Sequence, residues 1–143
     1  MQHERSTKYF IDTNIFLHVL FAQEKEEICG KLLEKINHGE IKGISSPYVL
    51  SEIVWKEKES RVPAEEIAKD ISAILSIQNL SFIQASSDTI LQSMVYMREY
   101  GLNHVDSVVV ATVIKETLKF LVSYDTDFDK VSIVERVEPE ELV

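Results

Sequence analysis

KYFIDTN, residues 8–14, is the stretch from which the rest of the chain can be interpreted. Residues 9–11 are aromatic and β-branched, which predicts a short β-strand, and Asp12 follows that strand directly. Apolar residues then recur at helical spacing, so a helix is predicted to begin at the strand's exit. Because ligands of parallel α/β sheets bind beyond the carboxyl ends of the strands, Asp12 marks the edge at which a site would form.

The remainder of the chain alternates helical and strand patterns in the same way. Strands are predicted at about 9–11, 41–45, 80–83, 120–123 and 131–134. Helices are predicted at about 14–22, 24–37, 47–59, 63–77 and 87–100, with a sixth that carries 108–114. This alternation predicts an α/β fold, a three-layer sandwich in which a mostly parallel central sheet has helices on both faces.

Length and composition predict one domain. The 143 residues are 45% hydrophobic, enough for a packed core, and we expect a single domain over 1–143 with a short, solvated acidic tail at about 136–143. No apolar run reaches the roughly 18 residues of a membrane span, and the segment with His3, Glu4 and Arg5 lacks the apolar stretch of a secretory signal. A soluble, cytoplasmic protein is therefore expected. Cys29 is the only cysteine, which excludes an internal disulfide and a multi-thiolate zinc site.

The net charge bears on the class of partner. With 15 basic and 24 acidic residues, the formal net charge is −9. Such a chain is not suited to bind nucleic acid by phosphate neutralisation alone. If the acids cluster around divalent cations, however, the ions contribute to the local field, and the formal charge does not exclude a nucleic-acid substrate.

Carboxylates recur where predicted strands end or helices begin. Asp12 follows the first strand, Glu52 lies on the third helix, Asp106 opens the sixth, and Asp125 and Asp127 follow the strand at 120–123. Two such charges ~6 Å apart repel by roughly 3 kcal/mol at an effective dielectric of about 20, so a bare cluster would be destabilising. Either the acids stay partly protonated or they bind a divalent cation. Oxygen ligands without cysteine favour Mg²⁺ or Mn²⁺ over Zn²⁺.

Each acid also has a simpler interpretation. Asp12 and Asp106 could be helix N-caps, and Glu52 could be a solvated helix position. A calcium-binding EF-hand loop starting at Asp125 is excluded, because Lys130 stands where the loop needs glycine and Arg136 where it needs glutamate. What favours a shared site is that caps have no reason to converge on one sheet edge.

Four segments, in order, resemble the motifs of the PIN-domain nucleases, and within them the VapC-like toxins. FIDTNIFL resembles the first motif and assigns Asp12, and SSPYVLSEIVW resembles the second and assigns Glu52. HVDSVVVATV assigns Asp106, and LVSYDTDF assigns Asp125, with Asp127 as an auxiliary acid. The departures, Ser107 for the more frequent Ala and Ser123 for the more frequent Thr, remove none of the acids.

This resemblance implies a metal-dependent endoribonuclease, the toxin of a pair inhibited by a small antitoxin protein. It implies that Asp12, Glu52, Asp106 and Asp125 are catalytic and, with Asp127, hold Mg²⁺ or Mn²⁺. The hydroxyls of Thr13 and Ser123 would orient the carboxylates. Two alternatives stay open: a PIN-type RNA-processing nuclease without an antitoxin, and a PIN-like domain that binds RNA or protein without cleaving.

Two further features concern partners. The apolar stretch 15–21 is long for a small domain to bury, which predicts a homodimer. After Glu52, Trp55 is followed by a run of three cations with interspersed acids. These cations are Lys56, Lys58 and Arg61, and the acids are Glu57 and Glu59. The run could follow an RNA backbone by charge and stacking, or it could be an ordinary solvated helix face.

Overall fold

A computed structural model of the chain describes residues 7–143. The expectation based on His3, Glu4 and Arg5 lies outside these residues. The strands are β1 Lys8–Ile11, β2 Lys42–Ser45, β3 Leu80–Phe82, β4 Phe120–Val122 and β5 Glu135–Val137. They form one sheet of order β3-β2-β1-β4-β5, and every neighbouring pair is parallel, which confirms the predicted α/β class.

The segments between the strands supply six α-helices and one short 3₁₀ turn, and a second 3₁₀ turn follows β5. The helices are α1 Thr13–Leu20, α2 Glu26–Asn37, α3 Pro47–Glu59, α4 Ala64–Leu75, α5 Ser87–Tyr100 and α6 His104–Lys115. The 3₁₀ turns are Thr126–Lys130 and Pro139–Glu141. Within residues 7–143, no helix is both long and apolar enough to cross a bilayer.

The strand order reverses at β1. From β1 the chain moves outward through β2 to β3, then returns to the other side of β1 with β4 and β5. Because parallel crossovers are right-handed, the helices before and after this reversal lie on opposite faces of the sheet. The reversal also opens a crevice at the carboxyl ends of β1 and β4, the usual ligand position in open α/β sheets.

Local sequence explains where several helices begin and end. Ser46 caps α3, its Oγ accepting the Tyr48 backbone N–H at 3.2 Å, and Pro47 fits the first helical position because that N–H needs no partner. Gly101 ends α5 with φ 65°, a left-handed conformation that glycine adopts without a steric penalty.

The C-terminal prediction is wrong in two respects. Residues 131–134 form a turn, although Val131 and Val134 are buried, and the last strand is β5 at Glu135–Val137. The segment 136–143 is not a solvated tail, since Val137 and Pro139 are buried. The turn contains two buried valines, whereas the strand that follows has only one buried side chain. Hydrophobicity alone therefore predicts the strand at the turn, a few residues too early.

The stretch 15–21 is accommodated within one protomer. Ile15 and Phe16 are 0% and 1% exposed, and the five residues that follow are half-buried. The sequence argument for a homodimer therefore loses its basis, because these side chains already have a core to fill. The homodimer itself stays a prediction.

Glu57 on α3 is a buried acid rather than part of a solvated face, since only 2% of it is exposed. The pKa of Glu57 is raised to about 7, mainly by burial. A hydrogen bond with Asp70 and the charge of Asp70 also raise it, and the charge of Glu66 contributes less. Within residues 7–143, the Oε1 atom has no hydrogen-bond partner. The contact between α3 and α4 therefore contains a carboxyl group that stays protonated to a higher pH than an ordinary glutamate does.

We expect Glu57→Gln to stabilise the protein at about pH 8, by about 1–3 kcal/mol, and to have little effect near pH 4. An unfolded glutamate loses its proton near its ordinary pKa of 4.5, whereas the folded one keeps it up to about 7. The free energy of unfolding therefore falls as pH rises through this window. Urea unfolding at several pH values measures the difference, with the exposed neighbour variant Glu59→Gln as control. A difference that does not grow with pH would contradict this assignment.

Candidate metal centre

The crevice between β1 and β4 brings acids from distant parts of the chain to one edge. Asp12 follows β1 directly, and its backbone N–H donates to the Val122 carbonyl of β4 at 3.1 Å. The segment 123–127 leaves β4 at the same edge. The chain's topology therefore places Asp12 beside the acids that follow β4, as the sequence predicts.

Asp12 is held as a buried carboxylate, with 3% of the residue exposed. It occupies the N-cap position of α1, yet among the described residues its side chain makes no capping hydrogen bond. Instead, its Oδ2 accepts from Ser123 Oγ at 2.7 Å and from Asn14 Nδ2 at 3.3 Å. Burial raises the pKa of Asp12 to about 6, although the bond from Ser123 opposes the shift. The capping interpretation therefore does not explain its side chain.

Asn14 is a connecting residue to which the sequence analysis gave no role. Its Nδ2 donates to Ser123 Oγ at 3.0 Å as well as to Asp12, and its Oδ1 accepts the Tyr124 backbone N–H at 3.2 Å. Asn14 thus ties the segment after β4 to the segment after β1. The one signal in the sequence is a polar amide two residues past the acid, at a position that faces the same edge.

Asp106 lies in the first turn of α6, and Asn103 caps that helix, its Oδ1 accepting the Asp106 backbone N–H at 2.8 Å. The N-cap interpretation of Asp106 is therefore wrong. The residue is 7% exposed. Burial raises the pKa of Asp106 to about 8, and the charges of Asp12, Asp125 and Glu52 contribute in that order.

Asp106, Asp125 and Asp127 form the tightest acidic group at this edge. Each offers a carboxylate oxygen, and the three oxygens lie within 4.8 Å of one another. Asp125 is held by two short bonds: its N–H donates to Ser123 Oγ at 3.0 Å, and its Oδ1 accepts the Asp127 N–H at 2.9 Å. Asp127, which the sequence analysis assigned as an auxiliary acid, is therefore a member of this group.

Glu52 completes the set of predicted acids. It is half-buried on α3, and its charge raises the pKa of both Asp12 and Asp106. The structure therefore brings all five predicted acids to one edge of the sheet. Their roles as metal ligands stay predictions.

The two predicted hydroxyl partners behave differently. Ser123 donates to Asp12 and accepts from Asn14 and from the Asp125 N–H, as an orienting residue should. The Thr13 hydroxyl is buried and finds no hydrogen-bond partner within the part of the chain described. Thr13 acts on the Asp12 carboxylate through its backbone instead, by a hydrogen bond that lowers the pKa of Asp12.

The charge of the cluster is not balanced by side-chain cations. Among residues 7–143, no Lys or Arg forms an ion pair with Asp12, Asp106 or Asp125, and Asp127 meets only Lys130 at 3.7 Å. A divalent cation would remove this repulsion. The donors are all carboxylates, which suits Mg²⁺ or Mn²⁺, and their arrangement therefore fits such an ion.

Known proteins provide an independent comparison. The PIN domain family model matches residues 9–134. Ribonuclease VapC2 of Methanocaldococcus jannaschii is 25% identical over 142 residues, covering 92% of this chain and 93% of that protein.

Two solved structures have the same fold. VapBC2 from Rickettsia felis, bound to a DNA fragment from its promoter, matches with a TM-score of 0.71 at 18% identity, over 92% of this chain and 98% of that one. VapC20 from Mycobacterium tuberculosis, described as a sarcin-ricin loop cleaving toxin, matches with a TM-score of 0.71 at 16% identity, over 89% of this chain and 97% of that one. Since the family model covers most of the chain, and the sheet and its acidic edge agree with it, the protein belongs to the PIN domain family.

Proposed function

We propose that this protein is a metal-dependent endoribonuclease that hydrolyses RNA phosphodiester bonds, and that it is the toxin of a toxin–antitoxin pair. The observation that carries the proposal is the cluster of five acids in the crevice of a PIN-family sheet, whose buried members form no ion pair with a lysine or arginine of the described residues 7–143. The relative from Methanocaldococcus jannaschii carries the name ribonuclease, which supports the same activity class.

The acids are proposed to hold Mg²⁺ or Mn²⁺. Asp106, Asp125 and Asp127 form the tight group, and Asp12 and Glu52 supply further carboxylate charge from β1 and α3. The chemistry that such an ion would supply, when held by these acids, is stabilisation of negative charge on the phosphate and a lower pKa for a water molecule.

The residues around the acids keep this arrangement ready. Ser123 and Asn14 fix one oxygen of Asp12, so that the carboxylate does not have to be ordered when the ion binds. Outer-sphere hydrogen bonds of this kind commonly decide the orientation of a ligating carboxylate. Burial at the same edge limits water around the acids, which strengthens their interaction with a cation.

The same comparison supports an antitoxin as one of the partners. The Rickettsia felis structure is a VapBC2 complex, and one from nontypeable Haemophilus influenzae is VapBC-1. We propose that a small antitoxin protein inhibits this chain, that the active form is a homodimer, and that both act in the cytoplasm. A monomer by light scattering across micromolar concentrations would contradict the homodimer.

The direct test is cleavage of a mixed RNA pool by the purified chain. We expect internal cuts with Mg²⁺ or Mn²⁺, none with EDTA, and none with Asp12→Asn, which keeps the shape of the side chain but removes its charge. Asp88→Asn, which alters an exposed acid on α5, is the matched control and should cut normally. Metal-independent cleavage, or equal cleavage by Asp12→Asn, would rule out the proposal.

The two open alternatives are distinguished in different ways, one by the cleavage experiment and the other by the neighbouring reading frame. A PIN-like domain that only binds would retain RNA without cutting it under any metal condition. A processing nuclease without an antitoxin would cut RNA, but no small inhibitor would be encoded in the neighbouring reading frame. The complete set of five acids favours cleavage over binding alone.

A further inference from the structure

A cavity of about 440 Å³ lies beside the acidic cluster, between the first turns of α3 and the start of α6. Its lining includes three aromatic or heteroaromatic rings, one lysine and one acid. These are Tyr48, Trp55, His104, Lys56 and Glu52. The proposed metal chemistry uses Glu52 but leaves the other four without a role.

Two of the rings contact each other, and the third is exposed. Tyr48 and His104 meet edge to face, with ring centroids 6.0 Å apart and an interplanar angle of 78°. Trp55 is 64% exposed. A large aromatic side chain left that accessible at the mouth of a cavity is typical of a binding surface rather than of a core.

The cavity meets the proposed catalytic edge at Glu52. Glu52 lines the cavity, and its charge acts on Asp12 and Asp106 in the cluster. His104 and Val105, also in the lining, directly precede Asp106 on α6. If an RNA phosphate reaches the acids, a neighbouring nucleotide would therefore lie at the cavity.

The cations of the basic patch line different pockets. Lys56 lines this cavity with Trp55 and Glu52, whereas Lys58 lines a groove between α3 and α4 with Val54 and a smaller pocket with Trp55 and Glu59. Lys56 is thus the lysine that shares a cavity with all three rings. In a chain of net charge −9, a cation at this position offsets repulsion of the substrate by the cluster.

We infer that this cavity binds an unpaired RNA base next to the phosphodiester that is cleaved, with the base stacked on Trp55 and a backbone phosphate paired with Lys56. The inference rests on the proposed function and adds to it a site for one base, formed by residues outside the acidic cluster. Aromatic stacking suits this task because every base has a π-face, and a base can reach such a cavity only when it is not paired.

Trp55 is the only tryptophan, so its fluorescence reports on the cavity directly. We would titrate Asp12→Asn, which binds without cutting, with a short single-stranded RNA of mixed sequence carrying an end label. Quenching of Trp55 emission should saturate at the same RNA concentration as the anisotropy of the label. Anisotropy that saturates while Trp55 emission stays constant would overturn the inference.

Substitutions give a second readout. In the Asp12→Asn background, Trp55→Ala should weaken RNA binding about 10–100-fold, with partial recovery in Trp55→Phe, and Mn²⁺ affinity should stay unchanged. Leu75→Ala, which truncates another exposed apolar side chain, is the matched control. RNA with abasic residues should bind Trp55→Ala and its parent equally, because no base is left to stack.

These outcomes separate the two proposals. If the native chain cuts RNA and Trp55→Ala binds and cuts as well as Leu75→Ala does, the base site is wrong while the nuclease assignment stands. If no RNA is cut, the nuclease assignment fails. RNA binding then still decides the base site. The site is supported if Trp55→Ala binds normal RNA more weakly than its parent but binds abasic RNA equally well. It is overturned if the two proteins bind normal RNA with equal affinity.

Discussion

Replacing Asp106 with asparagine should lower RNA cleavage by more than about 100-fold and, at the same time, stabilise the metal-free protein at about pH 8. The first effect follows from the place of Asp106 in the tight acidic group with Asp125 and Asp127. Even indirect partners of a metal ligand typically contribute 10–100-fold, so a carboxylate in the group itself should contribute more.

The second effect has the opposite sign because the metal-free cluster is strained by charge. Burial, then the charges of Asp12, Asp125 and Glu52, raise the pKa of Asp106 from 3.8 to about 8. The unfolded chain therefore releases this proton at lower pH than the folded chain does. The free energy of unfolding falls as pH rises from about 4 through about 8, and asparagine removes that loss.

Urea unfolding in EDTA at several pH values measures the stabilisation, which we expect to be on the order of 2 kcal/mol at the upper end. Asp88→Asn, on the exposed side of α5, controls for the loss of one negative charge. Added Mn²⁺ should stabilise the native chain more than it stabilises Asp106→Asn. A variant that is inactive and also less stable at every pH would mean that Asp106 is a structural residue.

The sheet and the position of the acids were predictable because both rest on short-range patterns. Residues 9–11 and 120–123 are apolar runs that end in polar residues, and parallel strands must end at the same edge. Once the strand order is assumed, Asp12 and Asp125 have to be neighbours. The structure adds the distances and the protonation preferences that no pattern contains.

The parts that were not predictable depend on tertiary contacts. Val131 and Val134 are buried by a turn, which hydrophobicity cannot distinguish from a strand. Glu57 lies among charged residues in the sequence, yet the contact of α3 with α4 covers it. Asn14 acquires its role only because β4 returns to lie beside β1, 109 residues away from Ser123 in the chain.

Together these features indicate that the edge is not arranged for stability, and its acidic group could hold a metal ion. Ser123 and Asn14 hold Asp12 in place, while Asp106 is kept among like charges, and no lysine or arginine within residues 7–143 forms an ion pair with it. A protein that only needed to fold would gain by replacing one of these acids with a neutral residue. Such strain is commonly retained at functional sites, where a ligand relieves it.

The affinity for Mn²⁺ should therefore depend steeply on pH. Carboxylates bind the ion in their deprotonated form, so protons must leave Asp106, with its pKa near 8, and Asp12, with its pKa near 6. Between about pH 8 and pH 6 we expect the apparent affinity to fall about 100-fold, mostly through Asp106, and to fall further below pH 6 as Asp12 takes up its proton.

Isothermal titration calorimetry in buffers of different ionisation enthalpy measures both the affinity and the number of protons released. Near pH 7 the native chain should release close to one proton for each ion bound. In Asp106→Asn the binding should be weaker and the proton release should largely disappear, because the group that holds the proton is gone. Asp88→Asn should match the native chain in both quantities. Tight binding that is independent of pH, without proton release, would mean that the ion does not bind to the buried acids and that the cluster at the β1–β4 crevice is not the metal centre.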